Sequence, residues 1–459
     1  MEQITKPHCG ARLDRLPDCR WHSSMFAIVA FGLLVCWSNA VGGLILAQLK
    51  ALGWTDNSTT ATFSAITTAG MFLGALVGGI IGDKTGRRNA FILYEAIHIA
   101  SMVVGAFSPN MDFLIACRFV MGVGLGALLV TLFAGFTEYM PGRNRGTWSS
   151  RVSFIGNWSY PLCSLIAMGL TALISAEWNW RVQLLIPAIL SLIATALAWR
   201  YFPESPRWLE SRGRYQEAEK VMRSIEEGVI RQTGKPLPPV VIADDGKAPQ
   251  AVPYSALLTG VLLKHVILGS CVLIAMNVVQ YTLINWLPTI FMTQGINLKD
   301  SIVLNTMSMF GAPFGIFIAM LVMDKIPRKT MGVGLLILIA VLGYIYSLQT
   351  SMLLITLIGF FLITFVYMYV CYASAVYVPE IWPTEAKLRG SGLANAVGRI
   401  SGIAAPYAVA VLLSSYGVTG VFILLGAVSI VVAIAIATIG IETKGVSVES
   451  LSIDAVANK

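Results

Sequence analysis

Apolar runs of about twenty residues, each closed by a short charged turn, follow one another along almost the whole chain. In hydrocarbon every backbone N–H and C=O must find its partner within the segment, so runs of this kind can only be helices. Twelve are centred near residues 36, 72, 98, 124, 158, 190, 270, 312, 340, 365, 402 and 431. Only 12% of the residues are charged, against about a quarter in a soluble domain, and mean hydropathy is +0.73. The expected fold is an all-α polytopic membrane protein with twelve transmembrane helices. No small-residue cleavage site follows the first run, which reads as a retained helix and not a signal peptide.

Lysine and arginine orient these helices. With both termini cytoplasmic, the inside segments hold 27 of the 32 basic residues. The outside loops then hold Lys50, Arg181 and Lys299, and the spans hold Arg118 and Arg399. The net charge of +8 therefore reflects membrane topology, with the lipid bilayer as partner and no nucleic acid. The seven cysteines give no disulfide framework. Cys9 and Cys19, beside His8 and His22, lack the spacing of paired zinc ligands, so no metal and no cofactor is expected and the N-terminus reads as a flexible tail.

The charged turns come in related pairs. Gly79-Ile80-Ile81-Gly82-Asp83-Lys84-Thr85-Gly86-Arg87-Arg88 returns as Asp324-Lys325-Ile326-Pro327-Arg328-Lys329. Glu138 through Arg145-Gly146 is echoed by Glu380 through Arg389-Gly390, and Glu204-Ser205-Pro206-Arg207 by Glu442-Thr443-Lys444-Gly445. Three elements in the same order and on the same side imply two parallel-related six-helix bundles, 1–202 and 257–459. The cytoplasmic loop 203–256 between them reads as a solvated linker with one interfacial helix. Positive-inside anchoring needs only bases, so the repeated acids point to pairs that hold the cytoplasmic side shut. The candidate gate is Asp83, Arg87, Arg88, Glu138, Arg145, Glu204, Arg207, Asp324, Arg328, Glu380, Arg389 and Glu442. Pro327 in place of Gly86, and Met320 in place of Gly79, predict a second turn that is stiffer and less closely packed. Gly70, Gly74 and Gly78, with Gly122, Gly124 and Gly126, predict close helix contacts in the first bundle. Gly82-Asp83-Lys84-Thr85 breaks the order a phosphate loop requires and follows no strand, which argues against ATP-driven transport.

Ionisable groups within a bilayer default to function. Glu95 and His98 lie three apart on one helical face and could share a proton, although a structural tie near the cytoplasmic end is an equal reading. Arg118 and Arg399 sit deeper, where a guanidinium fork suits a carboxylate substrate or a backbone carbonyl. In the seventh run Asn277, Tyr281 and Asn285 recur at helical spacing beside Gln280 and Trp286, a polar stripe that lipid would not tolerate. Asn39, Asn157 and Trp158 from the first half, and Tyr372 and Asn395 from the second, complete the expected substrate site for a small polar molecule.

These residues resemble the major facilitator superfamily, within it the sugar-porter-like metabolite transporters. The resemblance is carried by Gly79…Asp83-Lys84-x-Gly86-Arg87-Arg88, by Pro203-Glu204-Ser205-Pro206-Arg207-Trp208-Leu209, and by Pro379-Glu380…Pro383-Thr384. It implies a twelve-helix fold working by alternating access in a bacterial inner membrane, gated by the charged turns. The family's paired seventh-span glutamines fall at Cys271 and Val272, and its proton-coupling aspartate falls at Ser38, while the arginine partner matches Arg118. That leaves Glu95 with His98 as the intramembrane proton candidates. The expected protein is a monomeric secondary transporter of a sugar-like or acidic metabolite, coupled to protons by symport, and not an enzyme. An uncoupled facilitator or exporter, or a membrane sensor on a transporter scaffold, is the rival reading.

Overall fold

The computed structural model describes residues 7–443 apart from 18, 36, 142–144, 241–253, 324 and 383–385. Among the described residues nine helices are long and apolar enough to cross a membrane. The eleventh and twelfth runs share one helical path, Lys387–Ile439, broken at Gly417, whose φ of 64° and ψ of −159° are not helical. The first run is split into Arg20–Val35 and Gly42–Ala51 by a turn at 37–40, and the fifth into Arg145–Asn157 and Ser159–Leu173 at Trp158. Counting each split run once, and the joined path twice, gives the twelve expected spans. Irregular backbone at membrane depth is tolerated where protein covers it, and Trp37 and Ser38 in the first break are buried.

Two compact units emerge, 1–39 with 70–159 and 184–246, and 40–69 with 160–183 and 247–459. In the first, a Cβ at Gly70, Gly74 or Gly78 would overlap the backbone of Phe119, Val123 and Ala127 in the fourth span. In the second, Gly311 and Gly315 meet Phe360 and Thr364 in the same way. Gly79 faces open space instead, and Met320 is 40% exposed. The expectation of looser packing at the second turn is therefore corrected. Helical periodicity puts the closest approach at the preceding small residues, which both halves keep.

From Cys9 to Leu16 the N-terminal stretch is not a free tail, and residues 203–240 are not merely a solvated linker. Ala218, Met222, Ile225 and Val229 recur at helical spacing along the helix Tyr215–Thr233 and form its buried stripe. Cys9, Leu13 and Leu16 pack against that stripe and against Trp208 and Leu209. Arg12 donates to Glu226 at 2.7 Å and to Glu219, Arg15 donates to Glu226 at 2.6 Å, and Arg207 pairs with Asp14 at 3.0 Å. Burial pushes the Cys9 thiol up to about 12, so it stays protonated and inert. Burial alone would also raise the Glu226 carboxyl, but hydrogen bonds from Arg12 and Arg15 outweigh it and hold that carboxyl below its usual range.

A group with a depressed folded-state pKa stabilises above its unfolded value and loses that contribution as pH falls through the folded one. Docking of the N-terminal helix is thus expected to be complete at neutral pH and to weaken below about pH 4. Glu226→Gln should weaken it at neutral pH by roughly 2–3 kcal/mol, read as faster amide exchange over residues 9–16. Unchanged exchange in that variant would remove the ion pairs from the account.

Candidate functional site

Arg87 opens the third span, Arg87–Ala106, and its side chain gathers the first charged cluster. Its Nε donates to Glu138 at 2.9 Å and its Nη1 to Asp83 at 2.6 Å. Glu204 Oε1 accepts the backbone N–H groups of Arg87 at 2.7 Å and Arg88 at 3.3 Å, so its carboxylate caps the positive end of the helix. Arg88 turns away from the acids, donating to the Trp199 carbonyl at 2.6 Å. Arg207 pairs with Asp14 of the N-terminal helix. Proline at the first position of Pro206–Ser211 begins a separate helix that carries Arg207 away.

The second unit repeats this chemistry. Arg328 Nε donates to Glu380 at 3.0 Å and Nη2 at 3.1 Å, while Nη1 donates to the Met323 carbonyl. Glu442 accepts the N–H groups of Arg328 at 2.7 Å and Lys329 at 3.1 Å, and Thr443 donates to Glu380 at 2.6 Å. Tyr372 belongs here and not with the amide stripe. It sits in a π-helical turn, Tyr372–Tyr377, stacks on Tyr377 at 5.0 Å, and brings its hydroxyl against Gly332, one turn beyond Arg328. A π-helical turn rotates the following side chains away from α-helical register, which spacing alone does not reveal. Arg389 lies in the first turn of Lys387–Ile439; Asp324 and the side chain of Arg145 lie outside the described residues.

Within the first unit, four buried side chains form one chain of contacts. The Arg118 guanidinium donates to the Ser38 carbonyl at 2.7 Å. Ser38 Oγ lies 2.7 Å from His98 Nε2, and His98 Nδ1 lies 3.4 Å from Glu95 Oε2. Glu95, His98 and Ser38 are wholly inaccessible and Arg118 is 2% exposed. Close approach of the third and fourth spans, with Gly124 against His98, places them together. The second carboxylate oxygen of Glu95 is buried without a hydrogen bond among the described residues. The turn at 37–40 turns Ser38 toward both groups, and only the family position of Ser38 hints at this in the sequence. Asn39 is half-buried in the same turn, Asn157 donates to the Ser153 carbonyl of its own helix, and Trp158 marks the fifth-span break.

In the second unit the helix Gly260–Thr293 carries the amide stripe. Gly398 and Gly402, one turn apart, face Asn277 and Tyr281, also one turn apart, which brings the seventh and eleventh spans into close contact. Asn277 donates to the Leu273 carbonyl at 2.7 Å and Asn395 to the Ser391 carbonyl at 2.9 Å. Arg399 follows directly on Gly398, and its Nη1 is buried without a hydrogen-bond partner among the described residues. Gln280 lies beside the Tyr367 hydroxyl, whose ring meets Tyr160 edge-on at 5.3 Å. Trp286 is fully buried, and its indole N–H has no hydrogen-bond partner among the described residues.

Comparison with known proteins bears on what such groups serve. The chain matches the Major Facilitator Superfamily over residues 26–406. It is 99% identical to the metabolite transport protein YdjK of Escherichia coli K12, over 100% of both chains. It is 44% identical to the inner membrane metabolite transport protein YdjE of the same organism, over 98% of this chain and 99% of that one. A solved structure of the xylose transporter XylE from E. coli, in an inward open conformation, aligns at a TM-score of 0.74 over 94% of this chain and 99% of that one. At 17% identity this is a likeness of fold.

Proposed function

The chain belongs to the Major Facilitator Superfamily and is a membrane transporter of small metabolites, and we propose that it is a proton-coupled symporter of a small sugar-acid anion in the bacterial inner membrane. The buried chain Glu95–His98–Ser38–Arg118 is the observation that carries this reading. Arginine stays charged in proteins, so an ionised Glu95 leaves the four groups neutral in sum. Adding one proton, to Glu95 or to His98, leaves a net positive charge in a low-dielectric span at a penalty of several kcal/mol. An anion carried in the same transport cycle offsets that charge. Proton and anion then each raise the affinity for the other, as linkage requires.

Arg399 supports an anionic substrate. An unpartnered guanidinium nitrogen is costly to bury, and a carboxylate would satisfy it with a charge-assisted, forked geometry. Asn277, Gln280, Tyr281 and Asn395, in the second unit with Arg399, would supply hydrogen bonds and ring faces to the rest of the molecule. The two arginine-centred clusters act as gate elements in this reading. Each must be worth only a few kcal/mol for substrate to bias it.

Proteoliposomes with an acid exterior test the proposal. D-Glucuronate should accumulate against its gradient and D-glucose should not, and a protonophore should abolish accumulation. Arg399→Gln should reduce D-glucuronate uptake about tenfold or more, the loss of one charge-assisted contact. Uptake indifferent to the proton gradient would favour an uncoupled facilitator. Undiminished D-glucuronate uptake in the variant would sink the role of Arg399.

A further inference from the structure

In the second unit, the turn after the Gly42–Ala51 helix and the first turns of the helix Ala176–Tyr201 enclose a cavity of about 400 Å³ lined by Leu52, Trp54, Glu177, Trp178, Trp180 and Arg181. The Arg181 guanidinium lies 4.3 Å from the Trp180 ring centre and 5.9 Å from those of Trp54 and Trp178. Trp180 is fully buried and meets Trp54 edge-on at 5.5 Å, while Trp178 is 54% exposed. We infer that this cavity is a second, outer binding site for a carboxylated sugar ring, distinct from the site around Arg399.

The chemistry of the lining selects that class. A stacked guanidinium keeps its N–H groups in the plane of the fork, the geometry a carboxylate accepts. The half-open face of Trp178 offers a flat apolar surface to the C–H face of a pyranose, and the exposed Glu177 carboxylate accepts from ring hydroxyls. The volume falls in the range of roughly 300–1,000 Å³ usual for small-molecule sites, and one sugar ring fills only part of it.

The walls are also built before any ligand arrives. Asn179, buried between the two tryptophans in sequence, accepts from Gln48 at 3.3 Å and from Gln183 at 2.7 Å, and donates to Thr171 at 3.2 Å. Those bonds tie the Gly42–Ala51 helix to the start of the sixth span. Gly53, at φ 74°, allows the tight turn in which the Trp54 N–H donates to the Leu49 carbonyl at 2.9 Å. A preformed site loses less entropy on binding than one that must be ordered. A simple interfacial aromatic belt would not need the arginine at the centre of three indoles.

The test uses the purified full-length Arg399→Gln protein, so that failure of the substrate site and failure of the outer site are separable. Titration calorimetry with D-glucuronate should show one saturable site, weaker for D-glucose and absent for glycerol. Adding Trp178→Ala, at an exposed position, or Arg181→Lys, which keeps the charge but loses the stacked fork, should weaken it about tenfold or more. Absence of saturable binding in the parent, or binding unchanged in both added variants, overturns the inference.

Discussion

In Glu95→Gln, accumulation driven by an inward proton gradient is expected to fall by about a hundredfold or more, the scale of a lost proton-transfer group, while exchange of substrate at equilibrium survives. Glutamine keeps the shape and one hydrogen bond to His98 but removes the group that can release a proton. Exchange needs only the alternating step with substrate bound, so a transporter that still exchanges has kept its fold and its site. His98→Gln should behave similarly. Ser38→Ala, which removes the hydroxyl 2.7 Å from His98 but leaves the carbonyl that Arg118 holds, should shift the pH profile of uptake more than its maximum rate. Serine there positions the imidazole and carries no charge itself. If Glu95→Gln accumulates substrate like the parent protein, the buried chain is a structural tie and the coupling route lies elsewhere.

Gly86→Ala is expected to destabilise the first unit by roughly 3–5 kcal/mol, combining strain at a forbidden backbone angle with a lost charge-assisted hydrogen bond. Gly86 has φ 96° and ψ 162°, a region closed to residues with a side chain. A Cβ there would overlap the Glu204 carboxylate and lie 2.7 Å from its carboxyl carbon. Alanine therefore expels the very group that caps the N–H groups of Arg87 and Arg88. The counterpart predicts an asymmetry. Pro327 has φ −55° and ψ 140°, angles open to any residue, so Pro327→Ala should cost under about 1 kcal/mol. Thermal unfolding in detergent reads both. A double-mutant cycle with Glu204→Gln should show that the two losses in the first turn are not additive. Equal effects at positions 86 and 327 would show that the backbone angle at Gly86 carries nothing special in the first half.

The twelve helices and the two related sets of charged turns were legible in the residues. Burial in lipid forces apolar runs to satisfy their own backbone, and the two halves repeat their turns in order. The breaks at 37–40 and Trp158 were not legible, because hydropathy averages over a window and a kink leaves that average unchanged. The cytoplasmic helix Tyr215–Thr233 was visible through its charges, yet its apolar stripe packs against Cys9, Leu13 and Leu16, some two hundred residues earlier in the chain, which spacing along the helix could not show.

Among the candidate site residues, the acids and bases of the turns were identifiable by type, and their partners were not. Glu204 meets backbone N–H groups, and Arg207 meets Asp14. Glu95 and His98 are neighbours by spacing, but Ser38 and Arg118 join them across 60 and 80 residues. By itself the sequence determined that this chain is a duplicated helical membrane protein, because lipid imposes one-dimensional rules on polarity and charge. The tertiary structure alone decided which polar groups touch, because that depends on the rotation and crossing of helices far apart in the chain.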